Sequence, residues 1–231
     1  MRKLLIVLTL ISSITCIAQD TKWITWTKKY EGQKNYFPEY GNLQKTKDEI
    51  KADNDFIETI TKFGYSKQES SNQMATKGWT ALRQSDYENA MLRFNQSWLL
   101  DSTNVNALWG FGTIMGILQN SDDAIKYLER AYKYNPTTSR LLVDISVSYL
   151  IRYNIKKDKN DLNDGLSSIL NYLKIDPKNE EALYKTAIFY FHLEDFSSSW
   201  SYLNQCYEQG GRLVQQEFVD ALNVKMKNPK N

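Results

Sequence analysis

The chain has 231 residues, of which 29 are basic and 27 acidic, with one histidine and two cysteines. A formal net charge of +2 excludes a general electrostatic attraction for nucleic acid or anionic lipid. So few histidines and cysteines also exclude the paired Cys/His clusters of a zinc site.

Residues 1–19 predict a secretory signal peptide. The chain starts with the basic pair Arg2-Lys3, continues with an apolar run over residues 4–11, and has small residues around Ala18. We expect cleavage after residue 18 or 19, which leaves 27 basic and 27 acidic residues. The apolar run is too short for a stable membrane span. A retained anchor helix is the alternative.

The two cysteines bear on the compartment. Cys16 would be the acylated residue of a lipoprotein, although Ser13 stands where such signals usually have leucine. If Cys16 leaves with the signal, Cys206 is the remaining thiol and no internal disulfide forms. Cys206 falls on an apolar helix face, which favours a buried, inert thiol over an intermolecular disulfide. We therefore expect an exported bacterial protein, placed in the periplasm.

Residues 20–43 show no helical period and predict an irregular segment. Their aromatic content is too high for a disordered linker, so we expect this segment to dock on another surface. Its aromatic residues are Trp23, Trp26, Tyr30, Tyr36, Phe37 and Tyr40.

An N-terminal helix is predicted over residues 44–64. Thr46 and Glu49 form a capping box at its start, and Gly64 ends it. Ser66 and Glu69 form a second capping box, which opens the next helix.

The rest of the chain is a repeat. Ala90 and Ala124 are 34 residues apart, as are Gly165 and Ser199, whereas Ala124 and Gly165 are 41 apart. One unit therefore carries seven extra residues. We place them in the charged stretch 154–164, between the two helices of that unit.

A 34-residue period of two helices, with small residues at the crossings, resembles the tetratricopeptide-repeat family. The resemblance implies an all-α, right-handed α-solenoid of about four helix hairpins. We expect the repeat domain over residues 66–211, and a capping helix over 212–226 to cover the open end. The four units span about 71–104, 105–138, 139–179 and 180–211.

Motifs for chemistry are weak. His192 ends a first helix without partners for nucleophilic catalysis. The glycines of 110–116 follow no strand, so they do not predict a phosphate loop, and residues 161–165 lack the later acidic ligand of a calcium loop. We expect no enzymatic activity, no cofactor and no metal.

In the resembled family, peptides lie along a concave face lined by the first helices of the repeats. The lysines and asparagines with which some members clamp a terminal carboxylate are absent from the matching positions here, which are largely apolar and aromatic. The predicted groove residues are Trp79, Arg83, Trp109, Thr113, Arg140, Val143, Tyr184 and Phe191.

So large an apolar groove should be covered. It is filled by residues 20–43, closed by packing between neighbouring repeats, or occupied by a partner protein. The sequence predicts a non-catalytic scaffold or adaptor of the cell envelope that binds a protein or peptide. The alternatives are a structural accessory subunit of an envelope complex and an enzyme or its non-catalytic subunit.

Overall fold

The computed structural model describes residues 22–62 and 64–229, so the predicted signal peptide and Cys16 lie outside the described residues. Within those ranges the chain is helical between turns and has no strand, which confirms the all-α class. It divides into unit 1, which ends at Asn135, and unit 2, which begins at Pro136. The helices of unit 1 are α1 (residues 22–29), α2 (Lys47–Lys62), α3 (Lys67–Arg83), α4 (Tyr87–Leu100), α5 (Val105–Ile117) and α6 (Ser121–Tyr134). Those of unit 2 are α7 (Arg140–Lys156), α8 (Lys159–Leu173), α9 (Glu180–His192), α10 (Phe196–Glu208) and α11 (Gln216–Lys225).

Consecutive helices pack as hairpins: α3 with α4, α5 with α6, α7 with α8, and α9 with α10. The earlier member of each pair is called the first helix and the later one the second helix. All four hairpins share one turn feature, because a residue with a left-handed backbone precedes a side chain that caps the next helix, as Lys157 precedes Asp158 in the third hairpin with φ of 57°. In the other three hairpins the pairs are Ser85–Asp86, Gln119–Asn120 and Glu194–Asp195, with φ of 60°, 65° and 64° at the first residue.

The seven extra residues of the third hairpin are built as helix, which corrects the prediction of a longer connection over 154–164. α7 has 17 residues where α5 and α9 have 13, and α8 begins at Lys159, so that only two residues separate it from α7. An insertion of seven residues is close to two helical turns, so it lengthens both helices without changing which faces meet. Arg152 and Asp161 form an ion pair of 2.6 Å between the lengthened ends.

Both predicted capping boxes are confirmed. The Thr46 amide donates to Glu49 Oε2 at 2.6 Å and the Glu49 amide donates to Thr46 Oγ1 at 3.2 Å, while Ser66 and Glu69 repeat this exchange. The helix after the first box, α2, has no buried residue. Ile50 on its apolar stripe is half exposed, so α2 is attached to unit 1 more loosely than the hairpins.

The core of unit 1 is centred on Phe94 of α4, which is fully buried. A Cβ added to Gly78 or to Gly110 would lie 2.6 Å or 2.3 Å from its ring. Glycine at both positions therefore lets α3 and α5 approach this ring closely, and a ring buried among both helices has little room to shift.

In unit 2, Gly165 of α8 plays the same part for Phe189, whose ring lies 2.5 Å from the site of an added Cβ. Cys206 is buried, as predicted. The end of the chain is tied back because the Trp200 indole donates to the Met226 carbonyl at 2.8 Å, and Leu222 of α11 is fully buried.

Residues 22–43, called here the N-terminal segment, are more regular than predicted. Residues 22–29 form α1, and 3₁₀ turns follow at Lys34–Tyr36 and Pro38–Asn42. The helix forms because Trp26 and Tyr30 are one turn apart and both are buried, with ring centroids 4.7 Å apart. The absence of a longer apolar period concealed this short helix.

Candidate protein-binding surface

The first helices of unit 1 present a pair of tryptophans. The rings of Trp79 on α3 and Trp109 on α5 meet edge to face, with centroids 5.5 Å apart. The Trp79 indole donates to the Asn106 carbonyl at 3.2 Å, and its ring meets Phe94 at 5.6 Å. Both tryptophans are half-buried, so one side of the pair packs against the protein and the other side is accessible to solvent.

Polar side chains lie beside this pair. Arg83 is exposed at the end of α3, where it donates to Thr80 Oγ1 at 3.1 Å. Thr113 lies one turn after Trp109, whose carbonyl accepts its hydroxyl hydrogen bond at 2.9 Å. Four predicted groove residues thus share one surface, called here the first-helix face of unit 1: Trp79, Arg83, Trp109 and Thr113.

The N-terminal segment is anchored on the second helices, not on that face. The main attachment point is the side chain of Asn95 on α4, which is buried. The Asn95 amide nitrogen donates to the carbonyls of Asn35 and Phe37 at 2.8 and 2.9 Å, and its oxygen accepts from the Tyr40 amide at 3.3 Å. One side chain therefore satisfies three main-chain groups of a segment that lacks regular pairing.

Charged groups complete the anchoring. Arg130 of α6 donates to the buried carboxylate of Glu39 at 2.5 Å. Glu88 of α4 accepts from both Lys29 and Tyr30, at 2.7 and 2.5 Å. These two bonds lower the pKa of Glu88 to about 2, with the Lys29 bond as the larger cause.

The anchored backbone adopts an uncommon conformation. Glu39, Tyr40 and Asn42 have φ of 55°, 56° and 53°, and Gly41 between them has 69°, so four successive residues are left-handed. Non-glycine residues in this region cost roughly 1–2 kcal/mol each. The contacts with Asn95 and Arg130 hold the turn in place, and Tyr40 is buried beneath the Lys45 ammonium, 3.4 Å from its ring centroid.

The idea that residues 20–43 fill the aromatic groove is thus wrong for the described residues 22–43. It rested on matching aromatic side chains alone. The segment instead binds to the polar side chains of Glu88, Asn95 and Arg130. These residues belong to the second helices α4 and α6.

Comparison with known proteins identifies the fold. No family model and no curated protein matches the chain. Among solved structures, a thermophilic TPR protein of Thermus thermophilus, TTC0263, matches with a TM-score of 0.55 at 14% identity, over 68% of this chain and 84% of that one. The chain has a tetratricopeptide-repeat (TPR) fold.

Two further solved structures match this TPR chain. Pseudomonas aeruginosa PilF has a TM-score of 0.59 at 12% identity, over 92% of this chain and 88% of that one. YrrB, described as a TPR protein with an unusual peptide-binding site, has a TM-score of 0.56 at 17% identity, over 85% of this chain and 97% of that one.

The groove residues predicted in the TPR hairpins of unit 2 are less accessible than those of unit 1. Val143 is fully buried, because its short side chain does not extend past the neighbouring side chains that pack around α7. The Phe218 ring of α11 meets Tyr184 and Phe191 edge to face, each with a centroid distance of 5.5 Å. Tyr184 is buried and also accepts the Gln215 amide at 3.2 Å. The capping helix therefore packs against the two aromatic groove residues that we predicted there.

Arg140 is also engaged within unit 2. It makes two hydrogen bonds with the Glu181 carboxylate, at 2.5 and 3.2 Å, and lies 3.7 Å from Asp144. Its charge is therefore balanced within unit 2 by two carboxylates, and a role of Arg140 in binding a partner stays a prediction.

His192 and Cys206 are two titratable groups of the described TPR domain whose pKa values are shifted mainly by burial. Burial, with a smaller contribution from Lys157, lowers the pKa of His192, whose ring lies between Tyr153 and Phe191. Burial, followed by the nearby Glu180, raises the pKa of Cys206 to about 11, so the thiol stays protonated. Within residues 22–62 and 64–229, acidic, His and Cys side chains nowhere gather in a group of three that could hold a metal. None of the described helices is both long and apolar enough to cross a membrane.

Proposed function

We propose that this protein is a non-catalytic scaffold that binds another protein or peptide on the first-helix face of unit 1. The observation that carries the proposal is the half-exposed pair Trp79 and Trp109, whose rings are fixed edge to face. Tryptophan is enriched among residues that dominate protein–protein binding energy. YrrB, a TPR protein with an unusual peptide-binding site, supports this use of the fold.

The geometry suits recognition by surface complementarity. The bond from the Trp79 indole to the Asn106 carbonyl and the ring contact with Phe94 hold the pair before a partner arrives. A pre-ordered aromatic surface loses little side-chain entropy on binding. Apolar groups of the partner would pack on the two rings, and the exposed Arg83 would orient an acidic group beside them.

The cell envelope is the proposed location. The order of basic, apolar and small residues in 1–19 supports export, and the balanced charge of the remaining chain fits a protein that does not rely on nucleic acid or anionic lipid. In this setting the protein would be an adaptor between envelope components.

The test compares capture of partners by the wild-type chain and by two variants of the proposed face. Trp109→Ala removes one ring, and Arg83→Glu reverses the exposed charge. Lys77→Glu is the matched control, because Lys77 is an exposed cation on the same helix. Circular dichroism and thermal unfolding establish that each variant is folded.

We expect the wild type and Lys77→Glu to recover the same proteins from the native envelope fraction. Trp109→Ala and Arg83→Glu should lose them. Equal recovery by all four folded chains would place the binding site elsewhere and reject the proposal.

A further inference from the structure

The second helices of unit 2 enclose an open groove with a volume of about 370 Å³. This volume lies in the range of small-ligand sites in proteins. Its lining is mainly apolar and comes from α8, α9, α10 and the turn after α8. The lining residues are Leu170, Leu173, Lys174, Pro177, Leu183, Tyr202 and Gln205.

The groove has an occupied counterpart in unit 1. The N-terminal segment contacts four side chains of α4 and α6 that each precede a lining residue of the groove by 75 positions. The pairs are Asn95 and Leu170, Trp98 and Leu173, Tyr127 and Tyr202, and Arg130 and Gln205. The same two surfaces of the repeat are therefore filled in unit 1 and open in unit 2.

The occupant in unit 1 shows what this type of groove accepts. Tyr40 lies 6.3 Å from Trp98 between ring centroids, the side chain of Asn42 hydrogen-bonds Tyr127, and Glu39 pairs with Arg130. The occupant is thus a short irregular turn with an aromatic side chain directly after a carboxylate.

We propose that the groove of unit 2 binds a short irregular segment of a partner protein, in which an aromatic side chain adjoins a carboxylate. Tyr202 stands at the position that Tyr127 has in unit 1. Leu173 provides an apolar side chain at the position of Trp98. The aromatic side chain would enter between these two residues.

The cation of the groove lies on a different helix side in unit 2 than in unit 1. Gln205 replaces the cation of Arg130, whereas Lys174 brings a cation to the position of the apolar Leu99. Lys174 is exposed and donates to Asn171 Oδ1 at 2.8 Å. The carboxylate of the bound segment would therefore face the α8 side of the groove instead of the α10 side.

The N-terminal segment of a second copy is not the proposed occupant. That segment is already held within its own chain by Asn95, so it is not free to enter the groove of another copy. The proposal is independent of the first-helix face, since it concerns other helices and another unit.

The test uses a fluorescein-labelled peptide of residues 35–43, which supplies the adjacent Glu39 and Tyr40, titrated with the full chain in a fluorescence-anisotropy assay. Leu170→Glu places a carboxylate in the groove at a half-buried position. Val224→Asp is the matched control, because Val224 of the same unit is 84% exposed and does not line the groove. Gln205→Arg restores the cation of unit 1.

We expect saturable binding to the wild type and to Val224→Asp. Leu170→Glu should weaken it by about tenfold or more, as the loss of an apolar contact and charge repulsion act together. Gln205→Arg should tighten it by drawing the carboxylate back to the α10 side, as in unit 1, and a peptide with Glu39→Gln should lose that gain.

Absence of saturable binding to the folded wild type would overturn the proposal. So would binding that Leu170→Glu leaves unchanged. If an Asn95→Ala chain loses the peptide while Leu170→Glu keeps it, the peptide has entered the groove of unit 1, and the proposal fails as well.

Discussion

Arg130 donates a 2.5 Å hydrogen bond to Glu39, a residue that precedes it by 91 positions. The Glu39 side chain is 7% exposed and that of Arg130 is 33% exposed, so the pair is largely shielded from solvent where the N-terminal segment meets α6. The bond attaches the left-handed turn to α6, whereas Asn95 attaches the same segment to α4 of the preceding hairpin. It thereby determines that the aromatic segment lies on α4 and α6 and leaves the first-helix face of unit 1 accessible.

Replacing Arg130 by methionine should release this turn. Arg130→Met leaves the buried Glu39 carboxylate without its cation, which we expect to lower the free energy of unfolding by about 2 kcal/mol, less than for a fully buried pair. Urea denaturation measures the change. Lys126→Met is the control, because the exposed Lys126 lies 3.9 Å from Asp123 and its loss should cost less than about 0.5 kcal/mol. Equal effects of the two substitutions would contradict the anchoring role.

Asn95 should control the order of the N-terminal segment. Asn95→Ala removes three main-chain hydrogen bonds at once, so the amide of Tyr40 should lose its protection from hydrogen exchange, and unfolding should become easier by about 2 kcal/mol. Hydrogen-exchange mass spectrometry over residues 35–43 measures the effect. The neighbouring Gln96→Ala, which loses a bond to Arg93, should leave that protection intact. Unchanged exchange in Asn95→Ala would show that aromatic packing alone orders the segment.

Two glycines of α5 should respond to alanine in opposite directions. Gly110→Ala places a methyl group against the buried Phe94 ring, which Gly78 also approaches closely, so we expect a loss of about 2 kcal/mol. At Gly116 an added Cβ meets nothing within 4 Å. Gly116→Ala should therefore gain about 0.5 kcal/mol from helix propensity. Thermal unfolding distinguishes them, and destabilisation by both variants to the same extent would argue against the close approach at Phe94.

Acid should loosen the contact between α1 and α4. The folded pKa of Glu88 is about 2, below its ordinary value of 4.5, so its contribution is fully present above pH 4.5 and is lost as the pH falls towards 2. The stability difference between wild type and Glu88→Gln should therefore shrink across this window. Glu31→Gln, which changes an exposed carboxyl of the same segment, serves as the control. A difference that stays constant from pH 5 to pH 2.5 would refute the linkage.

The hairpins could be predicted from sequence because their signals are local. Small residues such as Ala90 and Ala124 recur at the repeat spacing, and caps such as Asp86 stand at the helix starts. The lengthened third hairpin was misjudged because charged residues are typical of both a loop and an exposed helix end. Seven extra residues are close to two helical turns, so they preserve the phase of a helix. The same number of residues would also be compatible with a longer loop.

The docking of the N-terminal segment could not be predicted because it depends on residues distant in the sequence. Nothing near Asn95 indicates that its amide meets carbonyls some 60 positions earlier. A signal was nevertheless present, since an asparagine between Phe94 and Trp98 on an apolar helix needs buried partners. Helical phase likewise placed Val143 at the groove, but phase does not measure how far a short side chain extends.

Direct binding of one purified envelope partner to the first-helix face tests the central claim most sharply. A partner recovered by the wild-type chain is titrated calorimetrically against the wild type, Trp109→Ala and Lys77→Glu. The account predicts that Trp109→Ala weakens binding by at least about tenfold while Lys77→Glu binds as the wild type does. Undiminished affinity of a folded Trp109→Ala chain would contradict it.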